Sequence, residues 1–316
     1  MIRVGITGGE TPTAGNLIRI LINHPDVELA WVESPSEEGA LLFQRHKGLA
    51  GETYMQFCGR GNLEDIDLLF LCNNIDGDSE RYLASHVIPE GVKIIDLSPD
   101  FRINPSESTP ENAPVWVYAL PELNRKPLVR GAMRAAIPGS LASVMLLSLL
   151  PMAKNLLLNS EIHVSCVTPH GEDAEGEATV LLEHEEIEET AAALRTLQQS
   201  FNAPIRLTAT AGGWNRGISA TIYFNTPIAE DEIKDIYDTF YEDHGFTFLS
   251  ESFPGLDEVR GTNKCMIHIE KSGDQLVIST VVDDTLKGGA AGAVHVMNLL
   301  YGLQERVGLM LTAAGV

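Results

Sequence analysis

Ile137-Pro138-Gly139-Ser140 sets a serine hydroxyl where a strand-like segment turns into a long apolar helix. Two roles are open to a serine there. Its oxygen can satisfy an orphan N–H as the helix N-cap, or it can attack an acyl group once a hydrogen-bonded general base takes its proton. The N-cap role is the expected one. A second chemically suggestive run, Gly8-Gly9-Glu10-Thr11-Pro12-Thr13-Ala14-Gly15, follows a strand and opens a helix, the usual cradle for a dinucleotide pyrophosphate. A third, Leu182-Glu183-His184-Glu185-Glu186-Ile187-Glu188-Glu189, reads by itself as an acidic, solvated helix face. His184 and Glu188 stand four apart on it, but two ligands do not make a metal site. Cys58, Cys72, Cys166 and Cys265 lie far apart with no CxxC spacing, so neither a metal cage nor a disulfide framework is indicated and buried apolar thiols are expected.

These groups need a frame. Ile2–Thr7 reads as a strand ending in glycines, Ala14–Asn23 as a helix and Val27–Val32 as a second strand, together a βαβ unit. Strands at Leu68–Cys72 and Val92–Leu97, with a helix at Ser79–His86 between them, predict an α/β, doubly wound parallel sheet. A helix from Ser140 to Leu150, bent at Pro151, follows. The texture then changes. Strands at Glu161–Thr168, Ile205–Ala211, Ile218–Phe224, Cys265–Lys271 and Gln275–Val281 alternate with helices near Glu183–Phe201 and Glu230–Tyr241, which predicts an α+β second domain with a mainly antiparallel sheet. A last apolar helix runs from Gly292 to Tyr301.

Composition narrows the function. The 316 residues are 44% apolar, enough for a large core in two domains. No apolar run reaches the ~18 residues a membrane span needs, and the chain starts directly into a strand, so a cytoplasmic protein is expected. A net charge of −22 repels polyanions and argues against nucleic-acid binding. The acidity is concentrated: residues 161–190 hold ten Asp or Glu side chains and no Lys or Arg. A site for anionic metabolites would lean the other way.

Several segments, in order and along nearly the whole chain, resemble the N-acyl-γ-glutamyl-phosphate reductases of arginine biosynthesis. Asp96-Leu97-Ser98-Pro99-Asp100-Phe101-Arg102, Tyr118-Ala119-Leu120-Pro121-Glu122-Leu123-Asn124-Arg125, Arg216-Gly217-Ile218, Asp283–Gly292 and Met297-Asn298-Leu299 carry the likeness. The resemblance implies a Rossmann-type dinucleotide-binding domain over residues 1–139, a catalytic and dimerising domain over 140–288, and a C-terminal helix over 289–316 that returns to the first domain. It implies an NADPH-dependent reductase that forms a thioester on a cysteine, and a homo-oligomer. Carried over residue by residue, it puts Ser140 and His184 at the catalytic positions. Gly8, Gly9, Thr11, Thr13, Ala14, Ser34, Ser36 and Gly292 fall at the cofactor positions. Arg102 and Arg216 fall at the substrate positions, Arg102 by bidentate pairing with a carboxylate.

The departures from the family pattern cluster at those same places. Asn-Pro-Gly-Cys has become Ile137-Pro138-Gly139-Ser140, which removes the thiolate. His-x-His-x-x-Glu matches best with His184 at the first His and Glu186 at the second. Thr11 stands at the loop's middle glycine and Ala14 at its third, and a β-branched Thr11 restricts the backbone where glycine allows close approach. Glu10 adds a carboxylate beside the expected pyrophosphate. Glu33-Ser34-Pro35-Ser36-Glu37-Glu38 occupies the ribose-reading turn, where acidity suits NAD and opposes NADP. Val167–Glu177, resembling a Ser-Gly-x-Ser-Gly-Ala-Gly cradle, has gained four carboxylates. The expected protein is therefore reductase-like, with little or no reductase activity and doubtful cofactor binding, acting as a regulatory or binding partner, including in a hetero-oligomer with a true reductase. The alternatives are an active NAD(P)H-dependent reductase using Ser140 and His184, and an acyl hydrolase built on the same pair.

Overall fold

A computed structural model describes residues 1–73, 75–103, 114–169, 178–181 and 184–313. The elements run β1 (Ile2–Thr7), α1 (Pro12–Leu21), β2 (Val27–Val32), α2 (Leu42–Arg45), β3 (Leu68–Leu71), α3 (Asp78–Ser85), β4 (Lys93–Asp96), β5 (Trp116–Tyr118), α4 (Pro121–Val129) and β6 (Arg134–Ala136). Then come α5 (Ser140–Lys154), β7 (Ile162–Thr168), β8 (Ala178–Leu181), α6 (Glu185–Arg195), β9 (Ile205–Ala211), β10 (Ile218–Asn225) and α7 (Glu230–Tyr241). The chain closes with β11 (Thr247–Leu249), β12 (Cys265–Ser272), β13 (Gln275–Val282) and α8 (Ala291–Leu300). It divides into two units, Met1–Pro138 with Gly289–Met310, and Gly139–Gly288 with Leu311–Val316. No helix among the described residues is long and apolar enough to cross a membrane.

The first unit is built on a six-stranded sheet ordered β2-β1-β3-β4-β6-β5, parallel throughout. All four residues of β3 are buried, as a strand covered on both faces requires. Trp31, Leu69, Leu71, Ile94, Phe101 and Trp116 form one apolar cluster, with Phe101 and Trp116 stacked at 4.0 Å. The chain order reverses between β1 and β3, so the crevice that open α/β sheets use for ligands lies at the C-terminal ends of these strands. Helix α8 packs beside α1 and α4 in this unit. Asn298 ties it down, paired with His24 Nε2 at 3.1 Å and donating to the carbonyls of Glu305 and Val307.

The second unit carries a seven-stranded sheet, β11-β12-β13-β10-β7-β9-β8, antiparallel except at β11/β12 and β7/β9. Helices α5, α6 and α7 pack on one of its faces. Helix α5 is buried on every side from Leu141 to Ala153, which explains its lack of a polar stripe. Pro151 lies inside this helix, which runs on to Lys154. The proline deprives the Leu147 carbonyl of its usual donor, and the Tyr241 hydroxyl supplies one instead. Ser148 Oγ pairs with Thr280 Oγ1 at 2.7 Å and anchors α5 on β13. On the opposite face Ser219, Thr221 and Tyr223 of β10 lie half-buried beside Val281, Ser279 and Val277 of β13, and of these Val281 and Ser279 are buried.

Candidate functional site

Ser140 is the first residue of α5, and Gly139 is its N-cap. The expectation that Ser140 caps the helix is therefore corrected: the serine is already inside it. The orphan amides are taken by carboxylates of α6. Glu189 Oε1 accepts from the Gly139 N–H at 3.0 Å, and Glu186 Oε2 accepts from the Ala142 N–H at 2.7 Å. Charged acceptors suit this position, where the helix dipole adds partial positive charge. Gly139 admits the arrangement because a Cβ there would meet the Glu186 carboxyl carbon at 2.5 Å. Among the described residues the Ser140 hydroxyl makes no hydrogen bond.

His184 lies at the start of the neighbouring helix, and its imidazole is committed there. It caps α6, with Nδ1 accepting from the Glu186 N–H at 3.2 Å. A lone pair on Nδ1 places the ring proton on Nε2, an assignment made from the bond. Within this unit Glu186 and Glu189 thus reach the start of α5 beside Ser140 while His184 caps α6, and no hydrogen bond joins Ser140 to His184. Cys166 is buried near Glu186, and burial with that carboxylate pushes its thiol up to about 12. Three cysteines are buried as expected, while Cys58 is only half-buried. The acidified loop from His170 to Glu177, and Leu182 and Glu183, lie outside the described residues.

Gly288 brings a second segment to Ser140, since a Cβ on it would stand 2.9 Å from the serine Cβ. It ends a turn that begins at Asp283 and continues into one π-type turn, Leu286–Ala290, a geometry often found at functional sites. Asp283 is fully buried. It accepts from the amides of Gly261, Thr285 and Leu286 and from the Thr285 hydroxyl at 2.7–3.1 Å. The Arg216 guanidinium pairs with it at 3.5 Å, with 29% of the Arg216 side chain exposed. Burial raises the Asp284 carboxyl above its ordinary range, with Asp283 adding to it, although the Gly217 N–H donates to it.

In the first unit the glycine-rich loop has turned inward. Thr11 is the N-cap of α1. Its Oγ1 accepts from the Ala14 N–H and donates to the Cys72 carbonyl, both at 3.1 Å. Pro12 follows and has no N–H to offer. Gly8 has φ +63 and sits where a Cβ would meet the Cys72 carbonyl oxygen at 2.7 Å, so the fold itself requires a glycine here. The Gly9 N–H donates to the Glu33 carbonyl. His46 Nε2 lies 2.7 Å from the Gly9 carbonyl, and its ring fills the space beside Gly15. Thr13 is half-buried behind Pro12. Glu10 Oε2 is buried without a hydrogen-bond partner among the described residues.

At the turn after β2, Ser34 is fully buried and its hydroxyl pairs with that of Ser36 at 3.3 Å. The Glu33 carboxylate accepts from the Gly61 N–H at 2.7 Å. Gly292 is the second residue of α8. Arg102 spends Nε on the Ile137 carbonyl at 2.9 Å and Nη2 on the Leu97 carbonyl at 3.2 Å. Sequence reasoning passed over Asp96, which is fully buried at the C-terminal end of β4. Burial pushes its carboxyl up to about 7, against the pull of the Ser98 and Ser79 hydroxyls. Among the described residues no cluster of three His, Cys, Asp or Glu side chains could hold a metal ion.

Two family models divide this chain as its units do: semialdehyde dehydrogenase, NAD binding domain, over residues 3–130, and semialdehyde dehydrogenase, dimerisation domain, over residues 170–284. Solved structures share the fold. Aspartate semialdehyde dehydrogenase II from Vibrio cholerae, complexed with ASA, superposes with a TM-score of 0.71 over 96% of this chain and 98% of that one at 14% identity. The aspartate semialdehyde dehydrogenase with NADP from Candida albicans gives 0.70 over 95% and 98% at 12% identity. The class is thus a semialdehyde dehydrogenase with an NAD(P)-binding Rossmann domain. Sequence narrows it further, because the N-acetyl-gamma-glutamyl-phosphate reductase of Parabacteroides distasonis is 42% identical over 98% of both chains, and that of Bacteroides fragilis 40% over the same share. The chain belongs to the N-acetyl-gamma-glutamyl-phosphate reductase family of arginine biosynthesis.

Proposed function

We infer that this chain is a member of the reductase family with little or no acyl-phosphate reductase turnover, acting as a regulatory or binding partner. The observation that carries this reading is the start of α5. The group at the nucleophile position is a hydroxyl, and no base among the described residues is bonded to it. A serine needs such a base before it attacks an acyl group. The helix amides that would favour an anion hold Glu186 and Glu189 instead, and two carboxylates beside Ser140 oppose both an alkoxide and an incoming acyl phosphate.

The nucleotide loop supports the same reading. Thr11, Pro12 and His46 leave few outward amides and Glu10 adds negative charge, so the residues present suit a pyrophosphate poorly. Any nicotinamide cofactor that does bind is expected to be NAD, given the acidic turn after β2. Ser219, Thr221 and Tyr223, half-buried on the face of the second unit's sheet away from α5, fit a homo-oligomer, and a hetero-oligomer with a true reductase is the natural route to a regulatory role. A cytoplasmic location fits this role.

The test is calorimetric titration of the pure protein with NADPH and NADH, followed by assay of phosphate-dependent turnover in the reverse direction. Saturable NADPH binding with turnover would restore the second reading, a working reductase, which the full-length similarity to named reductases favours. Native mass spectrometry of a mixture with an authentic reductase checks the partner role, and strictly separate homo-oligomers would remove it.

A further inference from the structure

Strand β11 pairs with β12 for three residues, ending at Leu249 beside Ile267, and the Ser250 N–H adds one last bond to the Ile267 carbonyl at 2.7 Å. β12 runs on to Ser272 without it. Further along the same edge the Lys271 N–H donates to the Glu230 carboxylate of α7 at 3.1 Å. Alternation along the strand turns the N–H and C=O of Ile269, midway between the two, to that edge as well, and no strand lies opposite them. The gap is a cavity of about 390 Å³ between this edge and α7, within the range of small-ligand sites. It is lined by Lys234 and Asp238, four apart on one face of α7, by Ser250 and Glu251 beyond β11, and by His268 and Ile269 of β12.

His268 sets the chemistry of this cavity. It is 7% exposed, and its Nδ1 lies 2.8 Å from the Ser250 carbonyl, which can only accept. Nδ1 therefore carries the ring proton, assigned from that bond, and Nε2 offers a lone pair. Nε2 is buried with no hydrogen-bond partner among the described residues; Glu270 Oε1 stands 3.3 Å away but makes no such bond. Two acceptors face each other, and a donor is missing. The carboxylates of Asp238 and Glu251, exposed at the rim, ask for donors too, while Lys234 is already paired with Glu230 at 2.5 Å. Since no three His, Cys, Asp or Glu side chains among the described residues could hold a metal ion, the charge that fits is an organic cation. A guanidinium spreads five N–H donors over one plane and can reach a ring nitrogen and a carboxylate together, whereas an ammonium presents its three from one point. We propose that this cavity binds a guanidinium, with His268 Nε2, Asp238 and Glu251 as its acceptors. The site uses neither Ser140 nor the nucleotide loop, so it holds whether or not the chain reduces an acyl phosphate.

Calorimetry on the full chain with L-arginine and L-citrulline tests it, since the second keeps the shape and replaces the cation by a neutral urea. L-Arginine should bind about tenfold more tightly, the worth of one charge-assisted hydrogen bond. Asp238→Asn combined with Glu251→Gln, both on exposed side chains that folding does not need, should remove most of that preference. His268→Asn keeps a donor for the Ser250 carbonyl and loses the Nε2 acceptor, so it should weaken L-arginine about fivefold. Acetyl-arginine amide separates two sources of the same group. Affinity equal to that of L-arginine makes the ligand an arginine side chain of a peptide, and weaker binding makes it a free amino acid whose carboxylate reaches Lys234. No heat from L-arginine at about 10 mM, where even a millimolar site would be filled, overturns the proposal. So does an affinity that L-citrulline matches, or one that the doubly substituted protein retains.

Discussion

Replacing Asp96 with Asn should remove a pH dependence from the stability of this protein. Asp96 is fully buried at the end of β4, with Oδ2 accepting from the Ser98 hydroxyl at 2.8 Å and Oδ1 without a partner among the described residues. Burial raises its carboxyl from 3.8 to about 7, and Asp100 adds to the rise. The folded state therefore holds the proton more tightly than the unfolded chain does. This contribution is complete below the unfolded value, falls as the pH climbs towards about 7, and is gone above it. Between about pH 5 and about pH 8 the folded group keeps its proton over roughly two units in which the unfolded group has lost it, or about 3 kcal/mol at 1.36 kcal/mol per unit. Asn is neutral throughout, so urea unfolding of wild type and Asp96→Asn at both pH values should show wild type losing about 3 kcal/mol more than the variant. Taking the difference cancels the general repulsion of a chain with net charge −22. Parallel pH profiles for the two proteins would refute the argument that Asp96 is held neutral by its surroundings.

Other substitutions test the remaining contacts. Ser140→Cys alone should not restore thioester formation or reductase turnover, because Glu186 and Glu189 stay on the helix amides; an acyl-enzyme seen by intact mass spectrometry would contradict this. Glu186→Ala removes a charge-assisted bond to the Ala142 N–H and should cost about 1–3 kcal/mol in urea unfolding. Tyr241→Phe leaves the Leu147 carbonyl without its replacement donor and should cost about 1–3 kcal/mol, whereas a neutral result would mean that the proline-broken helix needs no such repair. Gly8→Ala, at φ +63 and against the Cys72 carbonyl oxygen, should lower the thermal midpoint by several degrees.

The sequence carried the frame well where periodicity had room to show itself. β1, β2, β9 and α7 stand where the apolar pattern puts them, residue for residue. β5, β6 and β11 are three residues each, too short to display alternation; β6 showed only as a strand-like run ahead of Ser140, and β5 and β11 were not foreseen. Helix α4 contains Pro127 and a non-helical Asn124, so its pattern is broken from within. Helix α6 was expected to reach Phe201 but ends at Arg195. Beyond it Gln198 is buried against Leu158, bonding both its N–H and its carbonyl, a tertiary demand that a local pattern cannot announce. The site was harder for the same reason. Gly139 and Ser140 are both acceptable caps by type, and what decides between them is Glu186 and Glu189, more than forty residues away.

The two helix starts that the resemblance marks for anionic ligands have one physical property in common. Each has its positive end matched from inside its own unit, α1 by the Thr11 hydroxyl ahead of Pro12 and α5 by two glutamates. A helix N-terminus has few amides to offer and about half a unit of positive charge. An anion arriving at either end therefore has to displace a bonded group, and at α5 it meets two formal negative charges as it does so. Substituting the nucleophile leaves that field in place, whereas removing the glutamates leaves a buried helix uncapped. Stability and the family's chemistry thus make opposite demands on the same few atoms.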